Sequence, residues 1–402
     1  MTPEIKQRIE QIRRGNVPEG YQKTKDGIFP TDWHTQKMKQ WVALAERPVT
    51  LEDDKRYRLV TVRRGFGGVD LRGEYLGKDI LVKNYFRARQ GDFLISKRQI
   101  AHGACGVVPE SLDGAVVSNE YNVFVPNQGT NIEMFNLMMQ LPHYTRLFYL
   151  MSDGVHIEKL LFKTQDWMRR QLAMPPIEEQ RKIAAILTTQ DKVIELKEKR
   201  LAEKQRQKKY LMQQLLTGKK RLPGFLKSWK TVELGEIFNY IQPTAYLVKT
   251  TDYDDSYKTP VLTAGKTFIL GYTNETEGVF TKVPVVIFDD FTTATKYVDF
   301  PFKVKSSAMK ILTIKDGLSI VFAYEAMQLI KFTVGAHERH WISKYSCLTI
   351  DIPDIEEQTA IAEVLSTADR EIELLQQDIE QEKQKKKALM QLLLTGIVRV
   401  KT

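Results

Sequence analysis

The sequence predicts an α+β fold in which two α/β heads are joined and separated by two long antiparallel coiled-coil helices. Three observations predict it. One segment of the chain occurs twice, 178 positions apart and without a gap. Each copy has the spacing and composition of one long helix. Each copy also follows a stretch of mixed helix and strand character. The order head, helix, head, helix predicts a pseudo-twofold, nearly cyclic arrangement.

These boundaries divide the chain into five segments. We expect an N-terminal helix and entry segment, a first head, a central helix, a second head and a C-terminal helix. Their ranges are 1–30, 31–174, 175–222, 223–352 and 353–402. Each head enters through a turn that ends in tryptophan, "GIFPTDW" (27–33) and "GFLKSW" (224–229). Between these landmarks the two heads show no sequence similarity.

The repeat begins with "IEEQ" at Ile177 and Ile355 and ends with "LTG" at Gly218 and Gly396. A proline stands just before each copy, where a helix tolerates it, and glutamates fill the first turn, where the helix dipole favours negative charge. Glycine follows as a helix stop. About 40 residues at 1.5 Å each give a rod of about 60 Å.

Each copy carries a narrow apolar stripe that a single helix cannot bury alone. The stripe has the spacing of a coiled-coil seam, and lysines crowd the end opposite the glutamates. Antiparallel packing of the copies therefore brings opposite charges together. The expected seam residues are Ile183, Leu187, Ile194, Leu211, Leu215, Ile361, Leu365, Ile372, Leu389 and Leu393.

Both heads contain short runs rich in β-branched and aromatic residues. In the first head we expect strands at 57–62, 92–96, 114–118 and 122–126, then a helical stretch at 131–152 broken near Pro142. In the second head "TPVLT", "VPVVIF" and "AMKILTI" predict strands, and 317–330 predicts a helix. A short N-terminal helix, 3–15, loosely resembles the end of a rod.

Composition limits the class of protein. The net charge of +10 favours a polyanionic partner. Two cysteines are too few for a disulfide framework and fit a reducing cytoplasm. The charged N-terminus does not resemble a signal peptide, and no apolar run approaches the 18–20 residues of a membrane span.

Motifs for catalysis or metal binding are weak. "PVLTAGKT" (260–267) ends like a phosphate-binding loop, but proline replaces its first glycine. "HERH" (337–340) spaces its histidines one residue too closely for a zinc site, so a surface loop is the expectation. "HGAC" (102–105) lacks a third orienting group, and Cys105 is expected to be a small buried residue. "RRGFGG" (63–68) is expected to be a mobile turn. The chain has the character of a binder and organiser.

Two different heads held apart by one rigid spacer could bind a polymer with a regular repeat at two places. The helical repeat of DNA is about 34–36 Å, so such a spacer can hold both heads on one face of the duplex. Unequal heads imply two different half-sites with a fixed gap. The repeated rods offer similar docking surfaces to two copies of one partner.

The chain resembles the specificity subunit of Type I restriction–modification systems. The resemblance rests on "PPIEEQRKIAAIL" with "LMQQLLTG", their second copies "PDIEEQTAIAEVL" and "LMQLLLTG", and "GIFPTDW". The stretches 91–109 and 287–312 are also similar to the family's heads. One departure is "GFLKSW", which lacks the proline that Pro30 supplies in the first entry turn.

The resemblance implies a non-catalytic DNA-binding subunit of a phage-defence complex, acting in a prokaryotic cytoplasm on the nucleoid. Two target recognition domains would each read half of a bipartite double-stranded DNA site. Two modification subunits would dock and methylate adenine N6, and two restriction subunits can join them. S-adenosylmethionine, ATP and Mg²⁺ would be bound by those partners, so this chain is expected to bind no cofactor or metal, and no membrane.

Loop residues of the heads are the expected DNA contacts, because lysine and arginine contact phosphates and polar side chains read base edges. The expected contacts are Arg63, Arg64, Arg87, Arg89, Lys97, Arg98, Gln99 and His102 in the first head, and Lys266, Thr292, Thr293, Thr295, Lys296, Lys303 and Lys305 in the second. For every one of these residues a solvated surface side chain is the alternative. For the whole chain, the alternatives are a coiled-coil scaffold with protein-binding heads and an enzyme using "AGKT".

Overall fold

The computed structural model describes residues 2–25, 27–81, 84–154, 160–263, 267–332, 340–342 and 344–400. The chain forms two compact units. The first unit combines Met1–Leu196 with Ile379–Thr402, and the second is Lys197–Asp378. Each unit thus contains one head and a segment of each long helix, so the five linear segments are not five separate bodies.

The first unit contains the helices and strands of the first head. Its helices are α1 (Pro3–Arg13), α2 (Met38–Trp41), α3 (Ile132–Met139), α4 (Pro142–Leu150) and α5 (Thr164–Met168). Its strands are β1 (Tyr21–Thr24), β2 (Gly27–Pro30), β3 (His34–Lys37), β4 (Val42–Leu44), β5 (Pro48–Val49), β6 (Arg56–Val62), β7 (Val69–Leu76), β8 (Tyr85–Arg87), β9 (Phe93–Ser96), β10 (Cys105–Val107), β11 (Val116–Ser118), β12 (Tyr121–Pro126), β13 (Ser152–Asp153), β14 (Leu161–Phe162) and β15 (Gln171–Met174).

The long helix α6 (Ile177–Leu215) follows the first head, and α9 (Ile355–Leu393) follows the second. The second head has the helices α7 (Leu234–Ile237) and α8 (Ile320–Met327). Its strands are β16 (Lys230–Glu233), β17 (Phe238–Ile241), β18 (Thr259–Leu262), β19 (Ile269–Thr273), β20 (Val285–Asp289), β21 (Thr295–Val298), β22 (Lys303–Val304), β23 (Met309–Ile314) and β24 (Thr349–Ile352).

Both heads build the same four-stranded antiparallel sheet. The strand order is β10-β9-β12-β4 in the first head and β21-β20-β23-β17 in the second. In each head a one-turn helix precedes the edge strand, α2 before β4 and α7 before β17. A longer helix, α3 or α8, follows the strand that pairs with that edge. Because the two heads show no sequence similarity, this common topology was not predicted.

A second sheet in each head also follows one plan. β6 pairs with β7 antiparallel and with β11 parallel, as β18 pairs with β19 and β22. The first head adds β8 and β5, which complete five strands. In the second head a single bridge between Phe280 and Phe302 occupies the place of the β8–β11 pairing. The first head therefore has the larger second sheet.

The predicted helical stretch of the first head is two helices, α3 and α4. Pro142 is the first residue of α4, a position that needs no backbone donor. Trp41, Trp167 and the aromatic residues around them form the main core of the first unit. Trp341 and Phe288 lie in the corresponding core of the second unit.

Within each unit the segments of α6 and α9 run antiparallel. In the first unit Gln190 donates to Glu382 at 2.6 Å and Lys386 pairs with Asp191 at 2.6 Å. In the second unit three lysines of α6 pair with acidic residues of α9, and the partner's number falls as the lysine's number rises. These pairs are Lys197–Asp378, Lys204–Glu371 and Lys208–Asp369, at 2.6–2.8 Å.

All ten expected seam residues are at least partly buried. Leu211, Ile372 and Leu389 are half-buried and the other seven are buried. Ile183, Leu187 and Leu393 join the core of the first head, and Leu215, Ile361 and Leu365 join the core of the second. Most of the stripe therefore packs against a head as well as against the other helix.

The second glutamate of each "IEEQ" motif has a role that the helix dipole does not explain. Glu179 and Glu357 are each 1% exposed. Arg399 donates to both carboxylate oxygens of Glu179, at 2.8 and 2.7 Å, and Arg221 does the same to Glu357, at 2.6 Å twice. Each arginine lies just beyond the end of the opposite repeat copy. Two reciprocal ion pairs, here called clasps, thus join the copies.

Each clasp has its own further contacts. Arg399 also binds Asp32 through two hydrogen bonds of 2.9 and 2.7 Å. The bond from Arg399 holds the pKa of Asp32 below its ordinary value, and the bond to Glu179 raises the pKa of Arg399. In the second clasp the indole Nε1 of Trp229 donates to Glu357 at 3.0 Å.

The glutamine of each motif fixes the start of a head helix. Gln180 Oε1 accepts the backbone N–H of Asn131, which precedes α3, and Gln358 Oε1 accepts that of Ser319, which precedes α8. Gln180 and Gln358 also donate to the carbonyls of Pro175 and Pro353. Each long helix is therefore attached to its head by the same hydrogen bond, from the cap residue of the head helix to the glutamine side chain.

The N-terminal helix α1 lies beside the end of α9. Arg8 donates to the carbonyl of Ile397 at 2.7 Å, and the hydroxyl of Tyr21 donates to that of Gly396 at 2.7 Å. These two bonds join the N-terminal segment to the end of the second repeat copy. Among the helices of the described residues, none is long and apolar enough to cross a membrane.

Candidate nucleic-acid interface

Two loops of the first head form one surface. The loop 63–68 connects β6 to β7, and the segment 97–104 connects β9 to β10. The N–H groups of Gly65 and Phe66 donate to the carbonyls of His102 and Gly103, at 2.7 and 2.9 Å. The glycine-rich loop, expected to be a mobile turn, is thus hydrogen-bonded to its neighbour. It brings Arg63 and Arg64 towards Gln99 and His102.

Arg63 and Arg98 are exposed and Lys97 is half-buried, and each of the three has a partner in the head. Arg63 pairs with Asp70, and Arg98 pairs with Glu120 at 2.6 Å. Lys97 donates to the carbonyl of Asn119. Exposed pairs of this kind contribute little to stability, so their cations can exchange a carboxylate for a phosphate at low cost.

Arg87 and Arg89 belong to a different part of the first head. They precede β9, whereas 97–102 follows it, so they lie at the opposite end of that strand. Both are exposed. Between them and β9 lies Asp92, which is buried and accepts two hydrogen bonds from Arg47, at 2.6 and 3.1 Å. The eight expected contacts of the first head therefore form two clusters.

In the second head the hairpin of β20 and β21 presents the expected threonines. Asp289 Oδ1 accepts the N–H groups of Phe291 and Thr292, at 2.9 and 2.8 Å, and Thr293 has a left-handed φ of 57°. The N–H of Asp290 donates to the carbonyl of Ala308 at 3.0 Å. This bond attaches the hairpin turn to the segment 305–308, where Lys305 is exposed.

Thr295 and Lys296 point to opposite faces of β21. The hydroxyl of Thr295 accepts a hydrogen bond of 2.8 Å from Gln328, which follows α8. Lys296 is exposed and lies 5.9 Å above the ring of Phe268. Only Lys296 is thus on the face away from the helix, as alternation along a strand requires.

Lys303 is not available to DNA, which corrects the expectation for this residue. It is 1% exposed, pairs with Glu275 at 2.8 Å and donates to the carbonyl of Glu277 at 2.6 Å. Burial disfavours the charged Glu275, but Lys303 and the N–H groups of Thr250 and Lys249 bring its pKa below the ordinary value. Lys266 lies outside the described residues.

Sequence reasoning missed the exposed aromatic ring and the buried ion pair of the second hairpin. Phe291 is 42% exposed within "DDFTTATK", next to Thr292. Beneath it Asp290 and Lys310 are buried and lie 3.4 Å apart. The sequence does contain an indication of the exposed ring. Phe291 is an apolar residue inside a polar turn, and a role in the core does not explain it.

The described residues do not support a catalytic role for the motifs "HGAC", "HERH" and "AGKT". Cys105 is buried as expected, and burial raises the pKa of its thiol. Of "HERH" only His340 is described, and it is buried rather than in a surface loop. The residues 264–266 of "AGKT" lie outside the described ranges. In the part of the chain that the structure describes, no group of His, Cys, Asp and Glu is suited to a metal ion.

Comparison with known proteins shows what the chain is similar to. Residues 227–384 match the model of the Type I restriction modification DNA specificity domain. The chain is 55% identical over 140 residues to the EcoR124I/EcoR124II specificity subunit of Escherichia coli, covering 33% of this chain and 34% of that relative. It is 24% identical over 425 residues to the putative MjaX specificity subunit of Methanocaldococcus jannaschii, covering 96% and 98%.

The fold agrees with these matches. The Type I restriction–modification S subunit from M. genitalium superposes with a TM-score of 0.64 at 12% identity, covering 92% of this chain and 97% of that one. The chain is similar to Type I restriction–modification specificity subunits, and the family's DNA specificity domain is matched over residues 227–384. The match to the Escherichia coli subunit spans about a third of that relative's length.

Proposed function

We propose that this chain reads an asymmetric, bipartite DNA site, with one head on each half-site. The observation that carries the proposal is that one sheet topology occurs in both heads with different loops on it. A common framework places each loop set alike, and the differing side chains select different bases. The exposed cations of both heads supply the phosphate contacts.

The antiparallel segments of α6 and α9 support the second part of the proposal. As a coiled coil, the two helices set the gap between the half-sites and dock two modification subunits, one on each repeat copy. The relatives are named specificity subunits of restriction enzymes, which supports a non-catalytic role for this chain. Methylation of adenine N6, with S-adenosylmethionine, ATP and Mg²⁺, is then assigned to the partner subunits, and two restriction subunits can join them.

Single-molecule sequencing of N6-methyladenine tests the proposal. DNA is compared from cells that carry this chain with its modification subunit and from cells that lack only this chain. We expect two short half-sites with a fixed gap, methylated only in the first strain. A complex that forms but methylates nothing, and binds DNA without salt dependence, would instead support the scaffold with protein-binding heads.

A further inference from the structure

The second unit contains an acidic cleft between its head and α9. It has a volume of about 720 Å³. Tyr297, Asp299, Tyr324 and Glu325 contribute from the head. The helix α9 contributes three acidic residues, two hydroxyl residues and one arginine, which are Glu363, Asp369, Glu373, Ser366, Thr367 and Arg370. The carboxylates of this cleft would repel the phosphates of DNA, although the whole chain has a net charge of +10.

Glu325 lies at the floor of the cleft with its charge incompletely paired. It is 3% exposed. Its Oε1 accepts a hydrogen bond of 3.1 Å from Lys208, whereas its Oε2 is buried and has no hydrogen-bond partner. Lys208 also pairs with Asp369, at 2.6 Å. One cation therefore serves two carboxylates, and a buried acceptor without a donor carries a cost of about 1–3 kcal/mol.

The environment of Glu325 is short of positive charge. Burial raises the pKa of Glu325 and Asp369 raises it further, while Lys208 opposes both. The pKa of Tyr324 is also raised, by burial first and then by Glu325 and Asp369. A cation that enters the cleft would relieve this repulsion and supply the missing donor.

The first unit shows that the fold does not require this glutamate. The pair of Lys386 and Asp191 stands at the repeat positions of Lys208 and Asp369. In the head helix, counted from the caps Asn131 and Ser319, the position of Glu325 is occupied by Leu137, which is 3% exposed. The second unit thus replaces a core leucine by a carboxylate that the shared lysine pair does not need.

We infer that this cleft receives a lysine or arginine side chain from a modification subunit, and that only one of the two docked copies is held in this way. The inference rests on the proposed function. Oε2 of Glu325 would accept the incoming N–H, and the rings of Tyr297 and Tyr324, with centroids 6.0 Å apart, offer faces for a guanidinium. The charge of the cleft complements a basic segment, and its volume exceeds that of one side chain.

The test measures how the intact chain binds its modification subunit, by titration followed with native mass spectrometry. Wild type is compared with Glu325→Leu, which copies the first unit, and with Glu325→Gln. We expect both variants to raise one of the two dissociation constants by about 10-fold or more and to leave the other unchanged. Melting temperatures at or above that of wild type would show that the second unit still folds.

Other results overturn the inference in distinguishable ways. Unchanged dissociation constants for both copies in a folded Glu325→Leu variant would leave Glu325 a structural partner of Lys208. Spermidine that stabilises wild type but not Glu325→Leu, with unchanged partner binding, would assign the cleft to a free polyamine. Wild type that binds no modification subunit at all would remove the proposed function, and this inference with it.

Discussion

The two units share their framework and differ in the charges that they bury. Each has the same four-stranded sheet, the same parallel pair in a second sheet and the same arginine clasp. Among the described residues of the first unit, Asp92 is the one buried charged residue besides the clasp residue Glu179. The second unit buries Asp290, Lys303, Lys310 and Glu325.

The common features are those that connect a head to the helices. The second glutamate and the glutamine of each "IEEQ" make buried contacts. The glutamate binds an arginine that follows the other repeat copy, so a change in one copy affects its contact with the other. The differing features lie in the hairpins and the loops beside them. Under the proposed function, a head would change what it reads while its attachment stays constant, which would explain why the helices repeat and the heads do not.

The largest effect is expected for Lys303→Met. This substitution tests whether Lys303 belongs to the core of the second head. Replacement of Lys303 by Met leaves the carboxylate of Glu275 and the carbonyl of Glu277 without their cation. We expect the free energy of unfolding of the second unit to fall by about 3–5 kcal/mol, as when a buried pair loses one partner. Urea unfolding followed by far-UV circular dichroism measures it.

Lys305 is the matched control, two residues along the chain and exposed. Lys305→Met should change the free energy of unfolding by less than about 0.5 kcal/mol. If Lys305 contacts a phosphate, the slope of log affinity for DNA against log salt should fall by about 1. A stable Lys303→Met protein with weakened DNA binding would reverse the assignment of the two lysines.

The clasps test whether the shared framework is equally important in both units. Arg221→Ala leaves the buried Glu357 with the indole N–H of Trp229 but without the guanidinium, and Arg399→Ala leaves Glu179 without its guanidinium. We expect each change to lower the melting temperature of its own unit by about 5 °C or more. Differential scanning calorimetry separates the transitions.

Arg399→Lys is the control that keeps the positive charge but removes the bidentate hydrogen bonding to Glu179. It should recover part of the loss, because lysine supplies a point charge but not the planar fork. If Arg399→Ala melts like wild type, the buried carboxylate of Glu179 has another source of stabilisation, and the likeness of the clasps is only geometric.

How far the sequence predicts this molecule depends on the range of the interactions. The long helices follow from local spacing and the repeat, and the strands near 57–62 and 122–126 follow from their composition. The strand order does not, because pairings such as that of β12 with β4 join residues about 80 positions apart. For the same reason the common topology of the heads was invisible.

Individual charges were harder to assign than elements. In the sequence the helix dipole alone accounts for Glu179 and Glu357, because the arginines that bind them lie just beyond the end of the other repeat copy. Lys303 has the same local sequence character as Lys305, and only the tertiary pairing of β22 with β18 distinguishes them. The sequence indicates the loop 63–68 and the stretch 91–109 separately, but it does not predict the hydrogen bonds from Gly65 and Phe66 to His102 and Gly103.

The glycines that end the repeats provide a smaller and more local comparison. Gly218 and Gly396 have φ of 66° and 69°, so alanine is strained at both. A Cβ at Gly396 would lie 2.5 Å from Cδ of Pro30, whereas at Gly218 its nearest contacts are at 3.6 Å, with Trp229. We expect Gly218→Ala to lower the free energy of unfolding by about 1 kcal/mol and Gly396→Ala by at least about twice that. Equal losses would show that Pro30 can move aside.

The smallest expected effect concerns pH and the contrast between Glu325 and Leu137. The pKa of Glu325 is raised above its ordinary 4.5 by burial and by Asp369, against Lys208. Between 4.5 and the raised value the folded state therefore binds more protons than the unfolded state. The contribution of Glu325 to stability is full below 4.5 and is lost as the pH rises through the folded pKa.

Glu325→Leu removes this dependence, while Lys208, Asp369, Tyr324 and Glu363 remain around the site. The melting temperature of the variant minus that of wild type should be more positive at pH 8 than at pH 5. The same trend in Glu325→Gln would show that charge, rather than packing, causes it. The opposite trend would mean that Lys208 already satisfies an ionised Glu325, and the cleft would then have no need of a cation from a partner.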